Sequence, residues 1–249
     1  MFAIFKKELR SYFLNAIGYV YVGVFLALSA LLCCYSTLGA KTYNTSNYFY
    51  YMIFSFIILI PLLTMKLFSE EKKLRTEQLL MTAPVSVWGM VIGKFLAAFT
   101  LFLSTVLVSC INFFPLAVYA RAEQLNSAYG EAPVGPVGAI IISSVVGIIF
   151  IGAAFIALGM FISSLTENQL AAAIITVAII IAMLLLNVIN QSLENLYAIR
   201  FVIDLVCFMS RFSAFQSGLL DPSALLYYIS FAGIFLLLTV RVYDKRRWA

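Results

Sequence analysis

Apolar residues run through this chain in long blocks with polar breaks between them, without the strict alternation of a barrel strand. Six blocks, approximately 16–38, 49–67, 88–118, 137–163, 169–190 and 222–241, come to about the 20 residues that a helix needs to cross a hydrocarbon core. Backbone groups in lipid must pair within their own segment, so each block is predicted to be helical. The expected fold is an all-α membrane protein in one domain, residues 1–249, with six transmembrane helices, an N-terminal interfacial helix and short outer-leaflet helices before the last span.

Two stretches depart from the block pattern. In residues 1–15, MFAIFKKELRSYFLN, helical spacing puts Phe2, Phe5, Leu9, Tyr12 and Phe13 on one side and Lys6, Lys7 and Arg10 on the other. That pattern predicts a helix lying in the membrane interface; the plainer alternative is a frayed basic leader that only fixes topology. Residues 193–220 are apolar yet carry Glu194, Arg200, Asp204 and Arg211. On a helix, Arg200, Asp204, Cys207 and Arg211 fall at steps of four, three and four and form a narrow polar stripe. A span with these charges is costly, so the segment is expected to dip into the outer leaflet as two short helices, broken near Ser217 and Gly218. Asp221 then caps the last span and Pro222 takes its first turn. Residues 119–136, with two prolines and two glycines, read as an ordinary surface loop.

Composition agrees with a membrane location: 63% of the residues are hydrophobic and 11% charged, against about 25% charged in soluble domains. An even number of spans puts both termini on one side, and cytoplasmic flanks collect lysine and arginine. With the termini inside, twelve of the sixteen basic residues are cytoplasmic, leaving only Lys41, Arg121, Arg200 and Arg211 outside. The first apolar block lacks a small-residue cleavage site and is expected to be retained as a helix. There is no histidine, and Cys33, Cys34, Cys110 and Cys207 have apolar neighbours and no CxxC spacing, which removes the usual metal sets and imidazole chemistry. The cysteines read as small hydrophobes.

The densest polar stretch is SEEKKLRTEQLLMTAP, residues 69–84, with six charges in the eight positions from Glu70 to Glu77. Topology asks for basic residues here, but acids contribute little to orientation. Ser69 is expected to cap a helix with Glu70 and Glu71 in its first turn, where negative charge is favourable. Glu71 with Arg75 and Lys73 with Glu77 are pairs four apart. Leu74, Leu79, Leu80 and Met81 follow, and Pro84 ends the element. The prediction is a short cytosolic helix over 69–84, either a docking surface for a soluble partner or a solvated loop resting on the membrane.

The run TMKLFSEEKKLRTEQLLMTAPVSVWGMVIGKFLA resembles the segment between the second and third spans in permease subunits of ABC-2 type ATP-binding-cassette transporters, particularly the gliding-motility-like branch. The matching positions are Glu70 and Glu71, Lys72 or Lys73, Thr76 and Glu77, Leu79 and Leu80, Thr82 and Pro84, then Gly93 and Lys94. Arg75 stands where relatives usually have glycine before Thr76, which predicts a less interrupted helix. KKELRSYF, FSAFQSGLLDPSALLYY and YDKRRW are also similar to that family, so the resemblance extends over essentially the whole chain. It implies a six-span transport subunit of a prokaryotic cytoplasmic (inner) membrane that pairs with a second permease copy or paralogue and exports more often than it imports. It also implies that Glu70, Glu71, Lys72, Arg75, Thr76, Glu77, Leu79 and Leu80 contact a separate ABC ATPase subunit, which binds ATP and Mg. Relatives can also work with an extracytoplasmic accessory subunit; no nucleic-acid partner is implied.

The remaining residues offer little chemistry of their own. GMVIGKF, Gly89 to Phe95, approximates a phosphate-binding loop, but its glycines are one residue too close and Phe95 replaces the hydroxyl. No cofactor is expected on this chain, and no nucleophile with a base suggests an enzyme. The spans hold no interior carboxylate or lysine of a proton relay; Lys66, Lys94 and Glu167 lie near span ends, where long side chains can snorkel. Asn112, Asn187 and Asn190 are expected to bond between helices, and Ala153, Ala157 and Ala171 to Ala173 to allow close packing. The competing expectations are an ATP-independent carrier or channel, and a membrane anchor for a soluble complex.

Overall fold

Without a hydrophobic force between helices in lipid, a membrane bundle is held by close packing at small residues and by hydrogen bonds between helices, and this chain uses both. The computed structural model describes residues 1–14, 16–40, 42–75, 86–126, 136–192 and 207–248. The helices are α1 (Phe2–Leu14), α2 (Ala16–Cys33), α3 (Ser46–Thr64), α4 (Ser69–Lys73), α5 (Val87–Ser109), α6 (Phe113–Asn126), α7 (Gly138–Leu165), α8 (Gln169–Ser192), α9 (Phe208–Gln216) and α10 (Pro222–Trp248). No strand occurs among the described residues. A π-helical turn, Cys34–Gly39, extends α2, and a 3-10 turn, Cys110–Asn112, joins α5 to α6.

Among the described residues, six helical stretches are long and apolar enough to cross a membrane: Ala16–Gly39, Ser46–Lys73, Val87–Arg121, Gly138–Leu165, Gln169–Asn190 and Pro222–Arg247. The chain is therefore a multi-pass, all-α membrane protein. The third span runs further than expected, since α6 continues to Asn126 through the first part of the predicted 119–136 loop.

The centre of the bundle is α7, which packs against α3, α5, α8, α9 and α10. Its glycines set those distances. A Cβ at Gly152 would overlap the Phe102 ring of α5, one at Gly159 would overlap Thr64 of α3, and one at Gly147 would lie 2.9 Å from Phe212 of α9. Of the expected pair, Ala157 is buried beside them and Ala153 is half-buried, while the neighbouring Ala154 is buried. Of the predicted interhelical amides, Asn112 Nδ2 donates to Ser29 Oγ at 3.0 Å and links the third span to α2. Asn187 Oδ1 accepts from the Cys207 thiol at 3.5 Å. None of the four cysteines is in a disulfide.

At the end opposite α1, α9 is held by its backbone. Ser143 and Ser144 both donate to the Phe215 carbonyl, at 2.7 and 3.2 Å, and Tyr228 donates to the Phe208 carbonyl at 2.9 Å. Ser46 and Gln216 exchange bonds of 3.1 and 3.2 Å with one another's carbonyls. The break after α9 falls where the sequence predicts it: Ser217 ends the helix and Gly218 has φ 87°, a left-handed conformation that glycine adopts without penalty. Asp221 then accepts from the Ser223 amide at 2.9 Å and its hydroxyl at 2.8 Å, capping α10, whose first residue is Pro222.

Candidate functional site

The residues singled out by the sequence at the basic end of the bundle converge on a side chain that the sequence placed only near a span end, the ammonium of Lys94. Lys94 lies on the second turn of α5 and is 1% exposed, so it does not snorkel as expected. An ammonium has three donors, and here it has three acceptors: Leu67 O at 2.7 Å, Glu71 Oε1 at 3.0 Å and Glu8 Oε1 at 3.1 Å. The face of the Phe68 ring is 5.0 Å away. Lys7, on the exposed rim, is 3.6 Å from Glu71 and 3.9 Å from Glu8. Two cations thus face two carboxylates drawn from α1, α4 and α5. A buried charge is tolerable only when paired and hydrogen-bonded, and this one is.

Local sequence explains how the three elements meet. Gly89 and Gly93, four apart on α5, present a bare surface to the first turn of α1; a Cβ at Gly93 would lie 3.2 Å from Met1 O and 3.4 Å from Ile4. The glycines of the false phosphate loop are thus a seat for a helix. On α1, Ile4, Glu8 and Tyr12 follow at steps of four and face inward. Tyr12 donates to Leu63 O at 3.0 Å, and burial, with the nearby Glu8 charge, pushes its phenol well above the usual range. At the other end of α1, Gly18 passes so close to the Tyr12 carbonyl that no larger residue fits. The expected two-sided helix is therefore three-sided: Tyr12 and Glu8 inward, Phe2 and Phe13 outward at 78% and 44% exposure, and Lys6, Lys7 and Arg10 exposed between. Phe5 is half-buried, with its ring 6.1 Å from that of Phe2.

The acidic pair is divided by the fold. Glu71 points into the lattice, whereas Glu70 is 38% exposed at its side chain and pairs with Lys66 at 3.8 Å, one turn earlier. The pairing of Glu71 with Arg75 gives way to Lys94 and Lys7. Ser69 is not the cap: Phe68 occupies that position, and the Ser69 hydroxyl turns back to Met65 O. The unwound turn 65–68 is instead tied to α7 at its end, where Ser163 Oγ accepts from the amides of Phe68 at 3.1 Å and Ser69 at 3.2 Å and donates to Met65 O at 3.3 Å. Lys72 is buried and donates to Ser164 O.

The predicted helix over 69–84 stops at Lys73. Leu74 and Arg75 form a turn, and Arg75 has φ 55°. The expectation that arginine at this position leaves the helix less interrupted is overturned, because the backbone takes the left-handed conformation suited to glycine all the same. Lys73, Leu74 and Arg75 are exposed at the tip. Thr76, Glu77, Leu79 and Leu80 lie outside the described residues, as do Arg200 and Asp204. Of the outer stripe, Arg211 is seen on α9, its guanidinium 4.4 Å from the centre of the Tyr227 ring.

The sequence matches a family model, ABC-2 family transporter protein, over residues 35–241. The chain belongs to the ABC-2 transporter family. Membership makes this permease a transmembrane component of an ATP-binding-cassette transporter, working in the membrane with an ABC ATPase. Components of that kind are normally not catalytic themselves. No curated protein matches the permease in a sequence search. The matched region begins after α1, so half of the lattice's carboxylate, Glu8, comes from a segment that the family match does not cover. Glu8 was also missed in the sequence; its signal was an acid at the inward step between Ile4 and Tyr12 on an otherwise basic helix.

Proposed function

We propose that this permease forms the substrate pathway of an ATP-driven exporter, as a dimer with a second copy or a paralogue, with both termini cytoplasmic in a prokaryotic inner membrane. Two ATPase subunits, carrying ATP and Mg, dock beneath it. The contact is made by the outward residues of the α4 tip, Glu70, Lys73, Leu74 and Arg75, together with Thr76, Glu77, Leu79 and Leu80. Glu71 and Lys72 act behind that surface by holding α4 to α5 and α7. Movement of the ATPases then reaches α1 and α5 through Glu71, Lys94 and Glu8, and reaches α7 through Lys72 and Ser163. The observation that carries this reading is the joining of α1, α4 and α5 at one buried ammonium. Export follows from the family resemblance, which implies it more often than import, and an extracytoplasmic accessory subunit is compatible with the outer helix α9.

The test is a mild-detergent pull-down from the native membrane, with mass spectrometry and ATPase and transport assays on the co-purified complex. A stoichiometric ATPase is expected, and Glu70→Lys, which leaves the lattice intact, should lower transport more than ATP hydrolysis. A chain that purifies alone and conducts gradient-driven flux in liposomes without ATP would replace the proposal with a carrier. Unchanged transport in E70K would remove the α4 tip from the mechanism.

A further inference from the structure

The lattice fixes more than the position of α1: it fixes its roll. Glu8, Tyr12 and the contact of Met1 and Ile4 with Gly93 hold one face inward, so the other faces are presented in a set direction. Phe2 and Phe13, three turns apart on one side, are exposed. Fully burying one such side chain is worth roughly 1.5–3 kcal/mol, so this flank faces lipid and not water. Lys6 and Arg10 lie four apart, immediately beside it, both exposed. Lys7, one step further round, is committed to Glu8 and Glu71; Lys6 and Arg10 form no ion pair among the described residues. Two uncommitted cations therefore sit at the level of an aromatic stripe, outside every span, which is the height of the phosphate groups.

We propose that Lys6 and Arg10, backed by Phe2 and Phe13, form a site for the headgroup of an anionic phospholipid, and that its occupation steadies α1 and, through Glu8, the Lys94 lattice. The occupant is a bilayer lipid and not a soluble phosphate, because the aromatic flank requires acyl chains beside the charge. The role given to the lattice in coupling rests on the transport reading above; the lipid site itself does not, and is tested without an ATPase present.

The experiment compares the purified full-length chain in phosphatidylcholine nanodiscs with and without phosphatidylglycerol. It follows thermal unfolding, and it follows energy transfer from the intrinsic tryptophans to a labelled phosphatidylglycerol. Phosphatidylglycerol should raise the unfolding midpoint of the wild type, and added salt should diminish the gain. In Lys6→Gln with Arg10→Gln, the preference for the labelled anionic lipid should fall roughly thirty-fold, from the contribution expected of two basic residues at a membrane surface. The same variant should keep its midpoint in phosphatidylcholine, and the charge-conserving Lys6→Arg with Arg10→Lys should keep the preference. Equal midpoints for the wild type in the two lipids would overturn the proposal. Retention of the whole gain by K6Q/R10Q would do so as well, as would an equal gain from soluble glycerophosphate.

Discussion

Lys94→Met removes the ammonium that α1, α4 and α5 share while keeping most of its aliphatic volume. Glu8 Oε1 and Glu71 Oε1 are each close to the same nitrogen, at 3.1 and 3.0 Å, and neither carboxylate side chain is more than 15% exposed. Without the cation the two oxygens remain within roughly 6 Å, a repulsion of about 3 kcal/mol at an effective dielectric constant of about 20. Breaking a buried pair by deleting one partner costs about 3–5 kcal/mol. Lys7, at 3.6 and 3.9 Å from the same carboxylates, offsets part of it, so the lower figure is expected. For a chain of this size, about 3 kcal/mol corresponds to a fall in melting temperature of roughly 6–12 °C, measurable by tryptophan fluorescence in mild detergent. Neutralising the whole cluster, in Lys94→Met with Glu8→Gln and Glu71→Gln, should restore most of the loss, because removing a complete buried ion set is often close to neutral. That triple variant is also the decisive functional reagent: stability returns but the ionic link from α4 to α1 does not, so transport should remain low. K94M melting within about 1 °C of wild type, or a triple variant no more stable than the single one, would show that the shared ammonium does not hold α1, α4 and α5 together.

Gly152→Ala should destabilise by about 1–3 kcal/mol through overpacking against Phe102, and Phe102→Leu in the same background should recover part of it in the same melting assay. Arg75→Gly should stabilise by up to about 1 kcal/mol, since a left-handed residue costs roughly 1–2 kcal/mol unless it is glycine, less the extra unfolded-state freedom of glycine; a lower melting temperature for R75G than for R75A would contradict it. Asn112→Ala and Ser29→Ala should show a coupling of about 0.6 kcal/mol in a double-mutant cycle, the average for interhelical bonds in membranes. The Ser223 hydroxyl and amide hold the Asp221 carboxyl below its usual range. A depressed folded value means that the cap's contribution is complete above the unfolded carboxylate value near about 4 and is lost as pH falls further; Asp221→Asn, which still caps, should remove that acid dependence from the melting curve.

The six spans, the Asp221 cap, the Gly218 break and the Asn112 bond are all legible in the sequence because each depends on near neighbours or on a composition that only lipid satisfies. The lattice is not. A lysine one turn inside an apolar block reads as a snorkelling residue, and nothing local to Lys94 announces that a carboxylate 86 residues earlier will meet it. Gly89 and Gly93 were visible, but their spacing only ruled out a phosphate loop and did not point to the helix that rests on them. At the α4 tip the charges were legible and the backbone was not: Glu70 and Glu71 look equivalent side by side, and only the unwinding of 65–68 against Ser163 turns one outward and the other in. On α1, a two-sided wheel placed Tyr12 among the lipid-facing aromatics, whereas its hydroxyl needs a partner and finds the Leu63 carbonyl.

The chain positions of the lattice partners also bear on biogenesis. Glu8, Glu71 and Lys94 are all translated before the middle of the chain, so the charged layer has its ionic partners once the third span has entered the membrane and can close when Ser163 of α7 arrives to hold the turn 65–68. The opposite layer has no such early closure: the carbonyls that Ser46, Ser143 and Ser144 hold belong to residues 215 and 216. A ribosome-bound intermediate would thus have one finished leaflet and one waiting for its last quarter, and a truncation that removes α9 and α10 should leave a chain that is correctly oriented, locked at one face and open to quality-control proteases at the other.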